Sequence, residues 1–204
     1  MCYKHIIIKK ASLIRVLRRA CLALGICACL GPHAYAGTGP EAGPGLAAAS
    51  ARVSKLVLNG AGIRKQYFRN IYIGALYLDR RCASPEEAIA APGPKSIQLH
   101  ILYPEIGKEE VVRSWEEGFR NNLTGEEMAG IEERLGLFAS MALDIRRGDD
   151  VRFDFTPGGG TTVSINGRRM GTIEGDDFFR ALLKVWLGPH PADMRLKMAM
   201  LGIG

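Results

Sequence analysis

The residues of this sequence whose types and spacing suit joint action on a ligand are Arg64 and Tyr72. If the chain turns near Arg69 and Asn70, these two residues lie on neighbouring strands. An arginine guanidinium presents a planar fork of donors that matches a carboxylate, and a tyrosine hydroxyl can add a further hydrogen bond. An apolar cavity with both groups at one end would suit a fatty acid or a similar amphipathic anion.

A structural role is the alternative for the same pair. Arg64 would then form an internal salt bridge with a glutamate, and Tyr72 would pack in the core. On the residues alone we favour this structural role, and the ligand site stays open beside it.

The remaining reactive side chains predict no catalytic, metal or cofactor site. His100 and His190 are the only histidines after residue 36, and neither belongs to a recognisable catalytic motif or a cluster of metal ligands. We interpret Cys82 as an ordinary thiol without a catalytic role.

Residues 1–36 have the features of a secretory signal. They contain six lysines and arginines and no acidic residue, and residues 20–30 form an apolar run of 11 residues. Such a run is too short to span a bilayer, and Ala34-Tyr35-Ala36 fits the small-residue pattern of a cleavage site. We therefore predict export to the periplasm.

Removing this segment changes the charge of the protein. The whole chain carries 27 basic and 21 acidic residues, a net charge of +6. Because six basic residues belong to the signal, the remaining 168 residues carry 21 of each sign. The charge therefore gives no support to nucleic-acid binding. Four of the five cysteines are also removed, which leaves Cys82 with no partner for an intrachain disulfide.

Behind the signal we expect a leader and one domain. Residues 37–52 are rich in Gly, Pro and Ala without a period, which is typical of a flexible leader. Residues 53–204 have the length of one domain, and we expect no stable membrane span among them.

The elements around Arg64 are predicted from residues 56–79. The Gly-rich residues 59–62 indicate a tight turn after a first strand. A second strand then carries Arg64, and after a bend a third strand runs through Tyr77. Both faces of the third strand are mostly apolar, which predicts cover on both sides.

Further along the chain, helical and strand patterns occur in separate blocks. Ser84 and Pro85 begin a short helix, and apolar residues at helical spacing predict two more helices, over 108–123 and from Thr124 onward. A β-meander over 151–173 turns at Asn166-Gly167, and helices from residue 176 and over 192–201 follow it. This order of elements predicts an α+β fold.

The stretch around Arg64 resembles the chalcone isomerase family. The resemblance rests on Gly60-x-Gly62-x-Arg64 and on the aromatic-aliphatic strand at 74–78, and it extends from about residue 53 to the C-terminus. It implies an antiparallel β-sheet with helices packed on one face, a chalcone isomerase-like open-faced sandwich, with a ligand cleft between the two layers.

The resemblance also implies roles for particular residues. In the true isomerases the matching arginine stabilises oxyanion charge during ring closure, together with a threonine on the following strand and a tyrosine and an asparagine on a helix. Arg64 matches that arginine, but the threonine position falls on Tyr72, and the helix positions fall near Glu110 and Glu117. The chain is thus more similar to the non-catalytic, fatty-acid-binding branch, where an Arg and a Tyr at these places hold the ligand carboxylate.

Three hypotheses follow. In the first, the protein is exported and binds a fatty-acid-like or other amphipathic carboxylate through Arg64 and Tyr72. In the second, it is an isomerase or intramolecular lyase of a chalcone-like molecule, with Arg64 as the electrophilic group. In the third, it is a structural or partner-binding module whose cleft is filled by its own side chains.

Overall fold

The computed structural model describes residues 55–203. The predicted signal at 1–36 and the predicted leader at 37–52 lie outside the described residues, so both stay predictions. Within residues 55–203, no helix is both long enough and apolar enough to cross a membrane.

Six antiparallel strands form the main sheet, in the order β1-β2-β3-β6-β7-β8. A second, two-stranded sheet joins β4 and β5. The strands are β1 Val57–Gln66, β2 Arg69–Leu78, β3 Lys95–Ile101, β4 Glu105–Ile106, β5 Ile145–Arg146, β6 Asp150–Thr156, β7 Gly160–Ile165 and β8 Arg168–Ile173. The helices, which we number in chain order, are α1 Pro85–Ala90, α2 Lys108–Asn122, α3 Gly125–Ser140, α4 Asp176–Leu187 and α5 Met194–Met200.

Local capping residues set the start of three helices. Ser84 accepts a hydrogen bond from the backbone of Glu87 at the start of α1. Thr124 and Glu127 form a reciprocal capping box at the start of α3, and Asp193 caps α5. Each cap satisfies backbone N–H groups that have no partner within the helix. The predicted helices therefore begin within about two residues of their observed starts.

The core lies between the helices and one face of the sheet. Leu76, Ile97, Phe153 and Val163 are cross-strand neighbours on this inner face, and each is at most 1% exposed. The opposite face carries mostly polar side chains, because alternate residues of a strand point to opposite faces. The α+β architecture with helices on one face is confirmed.

The predicted cover on both sides of β2 is wrong for residues 55–203. Ile73 on the outer face is 37% exposed, and Ala75 and Tyr77 beside it are only half-buried. Among the described residues, the helices contact the inner face, where Tyr72 and Leu76 are buried. Short apolar side chains are tolerated on an open sheet face, so their presence did not require a second layer.

The predicted tight turn at 59–62 was also wrong. Strand β1 runs without a break through these residues, with a bulge between Leu58 and Gly60. The chain reverses instead at Tyr67 and Phe68, the two residues between the paired Gln66 and Arg69.

The glycines of β1 and β2 are needed where helix α5 approaches the sheet. A Cβ atom on Gly60 would lie 2.0 Å from the carbonyl oxygen of Ala199, and one on Gly62 would lie 2.6 Å from the Cβ of Ala199. Gly74 pairs with Gly62 across the strands and faces the same helix. Glycine is therefore required by a long-range contact, since only a residue without Cβ lets the helix lie this close.

Candidate functional site

Arg64 and Tyr72 lie directly opposite each other on β1 and β2. Their side chains project from the same, helix-covered face as the Gly62–Gly74 pair, which lies two residues away along each strand. The guanidinium carbon of Arg64 lies 5.6 Å from the centroid of the Tyr72 ring, within the distance at which a cation and an aromatic ring attract. The structure therefore brings together the two residues that the sequence singled out.

The guanidinium of Arg64 has no counter-ion among residues 55–203. No carboxylate of the described chain lies within salt-bridge distance of it, and its Nε is buried without a hydrogen-bond partner there. The internal Arg–Glu salt bridge, which was the alternative to a ligand site, is thus wrong for this part of the chain. Glu110 pairs with Arg113 instead.

The hydroxyl of Tyr72 is held by Trp186 of α4. The indole Nε1 donates a hydrogen bond of 2.8 Å to the Tyr72 oxygen, and both side chains are buried. Burial raises the pKa of Tyr72, although the positive charge of Arg64 and the Trp186 hydrogen bond oppose the rise. The phenol is therefore neutral at ordinary pH, and its own proton is free to be donated to another group.

The sequence analysis did not identify Trp186 as a site residue. The available signal was chemical: a buried indole N–H needs an acceptor. Nothing in the sequence told which acceptor it would find, because Tyr72 lies 114 residues away along the chain.

A cavity of about 280 Å³ opens beside this pair, between the inner face of the sheet and helices α2 and α4. Arg64, Gln66 and Tyr72 line it from the first hairpin. Part of the remaining wall is polar, and the aliphatic and aromatic lining residues are Ile71, Leu99, Ile106, Val111, Trp115, Leu143, Ile145, Val151, Val163, Ile165, Val185 and Trp186. The site thus combines the Arg64 guanidinium and the Tyr72 phenol with a cavity that has both apolar and polar walls.

Two aromatic residues behind the cavity close it on the core side. The ring centroids of Trp115 and Phe138 are 4.2 Å apart, and those of Trp186 and Phe153 are 6.1 Å apart. Phe138 and Phe153 are fully buried and contact each other. Since Trp115 and Trp186 line the cavity, its inner wall is continuous with the packed core.

The two helix positions that were aligned loosely, Glu110 and Glu117, both line the cavity. With Ser114 and Asn121 they form a polar stripe on α2, since residues three or four apart share one side of a helix. A carboxylate placed against Glu110 and Glu117 would be repelled, whereas one placed next to Arg64 would be attracted. His190 also lines the cavity and had no motif to reveal it.

The other reactive side chains lie away from this cavity. His100 is on the outer face, where its Nδ1 is 2.8 Å from an Asp150 oxygen. The Sγ of Cys82 contacts the backbone oxygen of Ser84 at 3.2 Å. Within the described part of the chain, no group of three or more potential ligands is arranged to hold a metal ion.

Comparison with known proteins agrees with this architecture. A family model described as chalcone isomerase-like matches residues 46–202. A similar solved structure is the fatty-acid binding protein AtFAP1 of Arabidopsis thaliana, with a TM-score of 0.58 and 20% sequence identity. The alignment covers 72% of this chain and 87% of that one. At this identity the likeness shows a shared fold. The search of curated proteins found no match.

The family match spans most of the chain, including every strand and helix described above. It also includes the Arg64–Tyr72 pair and the cavity beside it. This chain therefore belongs to the chalcone isomerase-like family.

Proposed function

We propose that the protein is an exported, non-catalytic binder of a fatty-acid-like or other amphipathic carboxylate. The observation that carries the proposal is Arg64. Its buried Nε has no hydrogen-bond partner among residues 55–203, it lines the cavity beside aliphatic and aromatic side chains, and no described carboxylate lies in salt-bridge distance.

An anionic headgroup would supply what Arg64 lacks. A buried hydrogen-bond donor without a partner raises the free energy of the fold, and the Nε of Arg64 is such a donor among the described residues. A carboxylate beside the guanidinium would restore the lost hydrogen bonds, and hydrogen bonds to charged groups contribute about 1.5–3 kcal/mol.

Tyr72 would provide the second contact to the same headgroup. Its oxygen already accepts from Trp186, and its raised pKa keeps the proton on the phenol. The hydroxyl is thereby left as a donor, and the indole restricts the directions in which it can point. A carboxylate with two oxygens can accept from both side chains.

The cavity favours a small ligand of this class. Its volume of about 280 Å³ lies at the lower limit of ligand pockets, which span roughly 300–1,000 Å³. Each methylene that enters would contribute about 0.8 kcal/mol by leaving water. We therefore expect carboxylates with short or medium alkyl chains, or aromatic acids, to fit best.

The fatty-acid-binding title of the Arabidopsis neighbour supports the same ligand class. Export rests on the signal features of residues 1–36. Glu110 and Glu117 on the cavity wall support a non-catalytic role, because two carboxylates replace the neutral polar side chains of the isomerases.

Calorimetric titration with n-alkyl carboxylates of increasing length, and with their methyl esters, tests the proposal. The acids are expected to bind about tenfold or more tightly than the esters, since about 1.4 kcal/mol of charge-assisted bonding corresponds to a factor of ten. Arg64→Met is expected to remove this preference for the acid, and Tyr72→Phe to reduce it.

Arg152→Met is the matched control. Arg152 is half-buried on the outer face of the sheet and also has a buried Nε without a partner among the described residues. It does not line the cavity, so its substitution should leave the affinity unchanged. Equal binding of acid and ester by the unsubstituted protein, or full acid affinity in Arg64→Met, would reject the proposal.

A further inference from the structure

The tip of the β1–β2 hairpin presents two aromatic side chains to solvent. Tyr67 is 86% exposed and Phe68 is 104% exposed, the two highest values among the large apolar residues of the described chain. They are the two residues between the paired Gln66 and Arg69. A fully exposed pair of this kind has no role in packing, because neither ring is removed from water by the fold.

The backbone at the tip is also unfavourable for these residue types. Both have positive φ, 46° for Tyr67 and 66° for Phe68. This is the left-handed region that Gly, Asn and Asp occupy most readily, and bulky residues are uncommon there. Backbone conformations of this kind are concentrated at functional sites of proteins.

The charges around the tip are positive. Lys65 and Arg69 flank the aromatic pair and are exposed, and the sequence has no acidic residue from 51 to 78. Asp193 accepts a hydrogen bond from the backbone N–H of Lys65, three residues before Phe68.

The tip and the cavity belong to the same hairpin. Gln66, next to the turn, lines the cavity together with Arg64 and Tyr72. Arg64 is only three residues from Tyr67, which is roughly 10 Å along a strand. A surface that held the tip would therefore lie near one end of the cavity.

We propose that Tyr67 and Phe68 insert into the interface of an anionic phospholipid bilayer, with Lys65 and Arg69 against the headgroups. A tyrosine ring, with a polar hydroxyl and an apolar body, prefers the headgroup level of a membrane, and a phenylalanine ring beside it adds apolar area to bury. Basic residues next to them are attracted by anionic lipids. The contact is peripheral and does not depend on which ligand the cavity holds.

Brominated lipids provide a test that reports on the tip alone. The full chain carrying Phe68→Trp is mixed with vesicles of equimolar phosphatidylglycerol and phosphatidylcholine with brominated acyl chains. The emission that this substitution adds to that of Trp115 and Trp186 is expected to shift to the blue and to be mostly quenched. Membrane contacts made elsewhere in the chain would not place residue 68 in particular against the acyl chains, and a probe at a second hairpin controls for them.

Two further variants complete the test. Arg168→Trp places the probe beside the turn of the β7–β8 hairpin, where the added emission should stay unquenched. Lys65→Gln with Arg69→Gln, in the Phe68→Trp chain, should lower the quenching to the level seen with phosphatidylcholine alone. Thermal unfolding of each variant checks that it is folded.

Three results would overturn the proposal. The first is unquenched emission from Phe68→Trp in anionic vesicles, and the second is equal quenching in Arg168→Trp. The third is a blue shift that appears without vesicles as the protein concentration rises, which would assign the tip to contact with a second copy of this chain.

Discussion

Two hairpins at opposite edges of the sheet use the same turn with opposite residue choices. In both, two residues with positive φ separate a pair of strands: Asn166 and Gly167 between β7 and β8, Tyr67 and Phe68 between β1 and β2. Asn-Gly is the residue pair that such a turn favours, whereas the bulky pair Tyr-Phe is poorly suited to positive φ.

Contacts of the two turns explain the difference. Asn166 accepts a hydrogen bond from the backbone N–H of Asp150 and donates one to the side chain of Asp149, each 2.9 Å long. The side chains of Tyr67 and Phe68 form no hydrogen bond with any described residue and are exposed. One turn thus contributes to the stability of the fold, while the other carries strain that its own contacts do not offset.

The largest expected difference between the two hairpins is the loss of stability when a glycine that faces a helix is replaced by alanine. Gly60→Ala should destabilise the protein by about 3 kcal/mol or more, because the new Cβ would lie 2.0 Å from the backbone oxygen of Ala199. In the second hairpin, the Cβ of Gly171→Ala would meet the side chain of Met141, with the Cε at 2.3 Å and the Sδ at 3.0 Å. The flexible Met141 side chain can move, so the cost there should be about 1 kcal/mol or less. Urea unfolding measures both, and equal losses would contradict this account of the first hairpin.

The exchange of turn residues has the next largest effect. Tyr67→Asn with Phe68→Gly should raise the free energy of unfolding by about 2 kcal/mol, since left-handed backbone costs about 1–2 kcal/mol per bulky residue. The same protein should lose the membrane contact proposed above. The reverse exchange, Asn166→Tyr with Gly167→Phe, should destabilise the protein by a similar amount. If replacing the aromatic tip lowered stability, the turn would not be strained.

A smaller effect on stability is expected from the buried charge of Lys95, in strand β3 between the two hairpins. Lys95 is 2% exposed, and burial lowers its pKa to about 8. The unfolded chain then binds a proton that the folded one does not, so stability should rise between pH 8 and pH 10, by roughly 1 kcal/mol per pH unit.

Lys95→Met should abolish this rise and increase stability at neutral pH, and Lys55→Met, at an exposed site, is the control. Above pH 10 the raised pKa of Tyr72 acts in the opposite direction, because the unfolded chain loses the phenolic proton first. Measurements are therefore confined to lower pH. If the stability of Lys95→Met still rose between pH 8 and pH 10, a group other than Lys95 would be responsible.

Local signals predicted the parts of this fold that local chemistry decides. Ser84, Thr124 and the Asn166-Gly167 turn were read correctly, since a cap or a turn depends on residues within a few positions. The opposition of Arg64 and Tyr72 followed from a reversal near residue 69, which the structure places only two residues earlier.

Long-range contacts account for the errors. Gly60 and Gly62 were read as a turn, because a turn and a close helix approach both call for glycine, and α5 lies some 140 positions later in the sequence. The reversal at Tyr67 and Phe68 had no signal, since these residues disfavour it. The two-residue strands β4 and β5 are too short to show a period.

The aromatic wall behind the cavity has a consequence for ligand length. Phe138 and Phe153 pack directly behind Trp115 and Trp186, so the hollow cannot deepen without opening the centre of the protein. In the proposed complex, an acyl chain held at Arg64 would meet this aromatic wall, and each further carbon would have to bend back or project into water. The protein would then select ligands by chain length: affinity would increase with each added carbon until the cavity is full and would not increase further.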